Sequence, residues 1–224
     1  MEKGNKKKLG LGLKPFIDIG AIGGKDMYKY IIGIIISYFI GNFATSYLIS
    51  KMVGKIDIRK HGSGNAGATN VLRVLGLKAA LFTFLGDGLK GLAVVVLADI
   101  LGGKSLAMAC GLAVILGHNF PVLLKFKGGK GVATSMGVFF IIDPIAALIS
   151  IALGIIIIIK IRYVSLGSII GMAILPITLF LLNRPIDIII FGIVVGLLAI
   201  FQHRSNISRL IRGNENKISI SKKK

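Results

Sequence analysis

The chain has 224 residues, 54% of them hydrophobic, and a mean hydropathy of +0.82. That excludes an ordinary soluble domain with one buried core. The net charge of +19 would suit a nucleic-acid binder, but there is no Trp, aromatics make up only 8%, and the cations avoid the long apolar runs. Such a layout is that of loops flanking membrane spans, so nucleic acid is not expected as a partner.

Residues 1–28 are basic, dotted with glycine and without the compact apolar core of a secretory signal, and read as a tail lying on the membrane surface. The first apolar run, 29–50, approaches the ~20 residues of a spanning helix. After it comes RKHGSGNAGATNVLR, residues 59–73. Here Gly62, Gly64 and Gly67 alternate with Ser63, Asn65, Thr69 and Asn70, so the backbone can turn sharply while side chains offer donors and acceptors. Arg73 closes the segment with a planar fork suited to phosphate. A glycine-rich turn capped by Ser63 or Asn65, with Arg73 as a membrane-edge anchor, accounts for this stretch equally well.

The next run, 77–101, contains Asp87 and Lys90 at i, i+3. Charges inside a membrane are costly and usually paired, so these two are expected to form a buried, structural ion pair facing the bundle. The run 105–124 contains the lone Cys110, a small buried side chain with no disulfide partner.

It leads into GHNFPVLLKFKGGKGVAT, residues 117–134. Lys127 and Lys130 bracket Gly128 and Gly129, and a helix starting near Gly131 would aim its first N–H groups at the same anion. Thr134 ends the segment as a further hydroxyl. This is not a nucleotide P-loop, because Gly131 follows Lys130 where Ser or Thr is required, and Leu124 replaces the first glycine. A tight turn with positive-inside lysines explains the charge but not the glycine triplet. His118 reads as a hydrogen-bonded residue at a helix end.

Runs at 131–143, 144–160, 164–182 and 186–202 follow, the first two separated by Asp143-Pro144, a hairpin signal. Counting them separately gives seven spans; joining them gives six. The last polar segment is HRSNISRLIRGNENK, residues 203–217. His203 and Asn206, at i, i+3, would share a helix face, and an imidazole beside an amide suits hydroxyl orientation or proton handling. A basic amphipathic helix on anionic lipid covers the arginines of this segment but not His203.

With seven spans the three polar segments share one face. Most Lys and Arg fall on that face, whereas the opposite loops hold Lys104 and Arg184 besides the tail lysines. The positive-inside rule then puts the C-terminus in the cytoplasm and the N-terminus outside, the basic tail arguing weakly the other way. The expected fold is an all-α integral membrane protein of about seven transmembrane helices, with the membrane domain at 29–217 between tails at 1–28 and 218–224.

GSGNAGATNVLR, GHNFPVLLKFKGGKGVAT and HRSNISRLIRGNE, with GDGLKG around Asp87 and Lys90, resemble the signature stretches of the bacterial membrane acyl-phosphate:glycerol-3-phosphate acyltransferases. The resemblance runs in order from about Tyr30 to Glu215. It implies an enzyme of the bacterial cell (inner) membrane with its active site on the cytoplasmic side. That enzyme moves a fatty acyl group from an acyl phosphate to the 1-hydroxyl of sn-glycerol 3-phosphate, giving lysophosphatidic acid and phosphate for phospholipid synthesis. It also implies no metal or other cofactor and no obligate protein partner, only the two substrates and membrane lipid.

By position, the resemblance carries a catalytic role to Ser63, Arg73, Lys130, His203 and Asn206. The glycines around Lys130 go with it, and Glu215 is the motif's acidic end, expected to be structural. Gly64, Asn65, Thr69, Asn70, Lys127, Gly128, Gly129, Gly131 and Thr134 are expected to bind substrate. In this reading Arg73 and Lys130 hold phosphate oxygens, Ser63, His203 and Asn206 position glycerol 3-phosphate, and the base is either His203 or the substrate's own phosphate. An acyl-enzyme at Ser63 lacks a base at fixed spacing. An anion transporter would carry its polar groups near the midplane rather than at one face.

Overall fold

A computed structural model describes residues 27–218, so the expected tails fall almost wholly outside the described residues. The described chain is helical throughout, with no strand: α1 Met27–Asn42, α2 Thr45–Gly54, α3 Ala68–Leu75, α4 Leu77–Asn119, α5 Val132–Ile142, α6 Pro144–Ile161, α7 Val164–Leu181, α8 Ile186–Gln202 and α9 Arg204–Ile211. Short 3-10 turns at Ile58–Lys60 and Val122–Leu124 shape two of the polar segments.

The first expected span is broken. The run 29–50 is divided at Phe43 and Ala44 into α1 and α2. Polar demands at the end of α1 account for the break: Asn42 Nδ2 donates to Tyr38 O at 2.7 Å while its Oδ1 accepts from Leu123 N at 3.2 Å. The freed carbonyls of Gly41 and Phe43 accept from Lys90 Nζ at 3.2 and 2.8 Å.

The next two expected spans are the arms of α4, which leaves helical geometry at Gly102 and Gly103. Gly103 has φ of 73°, a left-handed conformation that glycine adopts without a Cβ penalty. In a straight helix Asp87 and His118 would stand about 46 Å apart at 1.5 Å per residue. Their side chains lie 3.5 Å apart, so the arms fold back on each other as a hairpin. Gly111 packs against Val95 in the same way, with only 3.3 Å between that side chain and the place of a Cβ. Both ends of α4 therefore point to the same side, the first arm running ten residues past the level of His118.

The fourth expected span, 131–143, becomes the 11-residue α5, about 16 Å long and short of the ~30 Å hydrocarbon core. Asp143 ends it and caps α6, accepting from Ala146 N at 2.9 Å with Pro144 in the first turn. Arg184 Nε meets Asp143 Oδ2 at 2.5 Å and ties the α7–α8 turn to this corner.

Four stretches among the described residues are long and apolar enough to cross a membrane. They are Met27–Gly54 across its break, Leu77–Leu124, Pro144–Ile161 and Val164–Leu181, with α8 and α9 a fifth if taken as one bent pair. Ile31, Ile35, Phe82, Leu85, Leu97, Ile156 and Leu197 are exposed on the outer faces of these helices, as lipid-facing residues are. Inside, Phe139 of α5 stacks on Phe191 of α8 at 5.2 Å between centroids, within a core that includes Val95, Val114, Leu175 and Val195. A smaller core of Ile58, Val71, Ala79 and Ala80 seats the first polar segment on α4.

Candidate active site

The three polar segments converge. Ala66 N and Asn65 Nδ2 both donate to Gly128 O, at 3.3 and 3.2 Å, joining the first segment to the second. Gln202 Nε2 donates to Gly129 O at 3.3 Å and Lys130 Nζ donates to Asn206 Oδ1, joining the second to the third. Arg73 Nη2 donates to Asn216 O at 3.3 Å, closing the circle.

Around these contacts lies a cavity of about 230 Å³ with two chemically distinct ends. The polar end is lined by Ser63, Asn65, Thr69, Asn70, Arg73, Lys130, His203, Asn206 and Glu215. The apolar end runs between α6 and α7, past Ile151, Ile155 and Ile158 on one side and Val164 and Met172 on the other. Gly154, Gly167 and Gly171 let these helices close up: a Cβ on Gly154 would stand 3.0 Å from Gly167 O, and one on Gly171 2.9 Å from Ser150 O.

Within the first segment Arg73 sits on α3, a separate helix, and not at the start of the next span. Its guanidinium lies 4.0 Å from Glu215 Oε1, and its buried Nε has no hydrogen-bond partner among the described residues. Burial disfavours its charge and Glu215 opposes that, so the guanidinium stays protonated. Asn70 differs from expectation: its Nδ2 donates to Ile58 O, His61 O and Asn65 O and its Oδ1 accepts from Ser63 N. The amide is thus used up in folding the loop, although the residue borders the cavity. Gly62, with φ of 59°, leaves room for it. Thr69 borders the cavity, and Ser63 is exposed at its mouth.

In the second segment Gly131 adopts φ of 79° and starts α5, whose first residues, Val132 and Ala133, line the cavity; the helix N-terminus faces it as expected. The other two glycines have a reason the sequence did not show. A Cβ on Gly128 would overlap His118 O, and one on Gly129 would overlap the His118 ring. Thr134, expected to bind substrate, lines neither of these cavities and lies under α4, where a Cβ on Gly91 would overlap its carbonyl. Lys127, Gly64, Gly128 and Gly129 border a second, open cavity beside the first. Burial, reinforced by Arg209 and Arg73 and opposed by Glu215, lowers the pKa of Lys130 to about 8.

In the third segment the helix bends by 59° at His203, so His203 and Asn206 do not share one straight face, yet both are buried against the cavity. His203 Nδ1 lies 2.7 Å from Ala199 O, which can only accept; Nδ1 therefore carries the proton and Nε2 keeps its lone pair. Burial and the charge of Lys130 lower the His203 pKa to about 4. Glu215 joins three side chains. Its Oε1 accepts from Asn206 Nδ2 at 2.8 Å and Ser165 Oγ at 3.1 Å, and its Oε2 accepts from Arg209 Nε at 2.8 Å. Burial would raise its pKa, but these hydrogen bonds hold it lower.

The expected pair is present, with Lys90 Nζ 2.9 Å from Asp87 Oδ1, and is joined by a residue that sequence reasoning left aside. His118 Nδ1 lies 2.9 Å from Lys90 Nζ, and Asp87 and His118 both border the cavity.

A family model described as glycerol-3-phosphate acyltransferase matches residues 31–213. A glycerol-3-phosphate acyltransferase of Alkaliphilus metalliredigens is 55% identical over 185 residues, 83% of this chain and 94% of that protein. One from Clostridioides difficile is 41% identical over 206 residues, 88% of this chain and 99% of that protein. Among solved structures, PlsY (YgiH), an integral membrane glycerol 3-phosphate acyltransferase in its glycerol 3-phosphate form, is 39% identical. It superposes with a TM-score of 0.81 over 85% of this chain and 96% of that one. Its lysophosphatidic acid form gives 0.79 at 38% identity, with the same coverage.

Proposed function

Since the chain belongs to the glycerol-3-phosphate acyltransferase family and transfers an acyl group to glycerol 3-phosphate, yielding lysophosphatidic acid, we propose that its donor is a fatty acyl phosphate and that the two-ended cavity is where both substrates meet. One observation supports this above the others: a polar basin formed by Arg73, Lys130, His203 and Asn206 opens directly into a slot walled by α6 and α7. A donor with phosphate at one end and a hydrocarbon chain at the other has that shape and polarity.

In this reading Arg73, Lys130 and the N-terminus of α5 hold the donor's phosphoryl oxygens, and the chain lies against Ile151, Ile155 and Met172. The 1-hydroxyl oxygen of glycerol 3-phosphate attacks the acyl carbon; the bond from that carbon to the phosphate oxygen breaks, and inorganic phosphate departs against the two cations. His203 Nε2 and Asn206 orient the hydroxyl. An imidazole whose pKa is near 4 is a weak base at neutral pH, so the hydroxyl proton passes to a phosphate oxygen of the substrate. Ser63 at the mouth guides glycerol 3-phosphate, and the acyl group passes to the acceptor directly rather than through an acyl-enzyme.

The three segments lie on the cytoplasmic side of the bacterial inner membrane. The arms of α4 count as two spans and α5 with its loop as one, giving seven with the N-terminus outside. The test is phosphate release from a long-chain acyl phosphate by purified protein in micelles. We expect release to depend on glycerol 3-phosphate and to fall at least a hundredfold in Lys130→Ala. Release at the same rate without glycerol 3-phosphate would refute the assignment of donor and acceptor.

A further inference from the structure

His118 is 4% exposed, at the end of the second arm of α4. Its imidazole has two faces of contact. Towards the bundle, Nδ1 meets Lys90 Nζ at 2.9 Å, and the same ammonium holds Asp87 Oδ1, Gly41 O and Phe43 O. Nδ1 also lies 3.5 Å from Asp87 Oδ1, so the ammonium and the carboxylate hold the same edge of the ring. Lys90 is itself fixed by the end of α1 and by Asp87, so the ring has one orientation.

Towards the cavity, the ring supports the turn before Lys130. Gly129 N donates to His118 O at 3.1 Å, and the α-carbon of Gly129 sits so close to the ring that a Cβ would overlap Nε2 and fall 2.7 Å from Cε1. Residue 130 follows directly, and its ammonium reaches Asn206 across the cavity. The height of the Gly128–Gly129 turn, and with it the reach of Lys130, is set by the ring beneath it.

We propose that His118 is a positioning residue for acyl transfer: the ring, locked by Lys90 and Asp87, is the platform that holds Lys130 at its phosphate. This rests on the reading of Lys130 as a phosphate ligand, and it gives Gly129 a defined reason for being glycine. It also gives the Asp87–Lys90 pair a purpose beyond neutralising its own charges.

The contact makes a specific prediction about paired substitutions. Gly129→Ala alone forces a methyl into the ring and should raise KM for glycerol 3-phosphate or acyl phosphate at least tenfold. His118→Asn keeps an acceptor near the place of Nδ1 for Lys90 but withdraws the atoms under Gly129; it should raise the same KM about tenfold while the melting temperature in micelles stays near that of the parent. The methyl then has room, so the double variant should fall within about threefold of His118→Asn alone. A double variant that shows the product of the two single effects overturns the proposal, as does His118→Asn with parental KM and kcat. Should His118→Asn fail to purify, His118→Ala paired with Gly129→Ala is read in the same way. Failure of the underlying reading looks different: Lys130→Ala would then keep parental KM and rate whatever the coupling between 118 and 129.

Discussion

A lysine whose pKa is lowered to about 8 is protonated below that pH and loses its charge above it. Lys130 should therefore impose an alkaline limb on kcat/KM, activity falling as pH rises through about 8, because that parameter reports the free enzyme. Lys130→Arg keeps a cation at every accessible pH and should remove the limb or move it up by more than one unit, even if its lower rate reflects a wider, planar head. An unmoved limb would assign the titration to another group. The residue types of this site were legible from the three segments, but their division of labour was not. Asn70 and Asn206 look alike in sequence, yet Asn70 binds four main-chain groups whereas Asn206 bridges Lys130 and Glu215. His118 carried no signal beyond its helix end, since its partners Lys90 and Gly129 come from different turns of the fold.

Among the elements, long apolar runs mark helices well, and Asp143-Pro144 marked the α5–α6 corner correctly because a capping carboxylate and a proline act locally. The break at Phe43 and Ala44 was hidden, since its cause is Lys90 and Leu123, remote in sequence. The slot between α6 and α7 makes its own prediction. Ser168 lines it and is half-buried, so Ser168→Phe should fill it. We expect kcat/KM for a long-chain acyl phosphate to drop at least tenfold more than for a short-chain one, with KM for glycerol 3-phosphate within threefold of the parent. Equal losses for both donors would place the chain elsewhere.

Across the whole molecule, convergence of the three segments was legible in the alternation of apolar runs and polar loops, and the hydrogen bonds of Ala66, Gln202 and Lys130 join those loops in the structure. The side of the membrane is a separate matter of charge. Single cysteines at Lys55 and Lys104 should react oppositely with a membrane-impermeant maleimide in intact cells, Lys104→Cys labelling and Lys55→Cys not. Cys110, 2% exposed, is too buried to interfere. Labelling of Lys55→Cys from outside would reverse the orientation.

The turn at Gly102 and Gly103 bears on how the chain enters the bilayer. Asp87 and Lys90 on a lone helix would each cost roughly 2.5–3.5 kcal/mol at the centre of a membrane. With the chain doubled back there, the carboxylate, the ammonium and the imidazole of His118 meet within a single stretch of forty-three residues. The two arms can leave the translocation machinery as one laterally released unit whose inner charges are already paired, with the docking surface for the later Gly128–Gly129 turn built into it before the rest of the chain has been made.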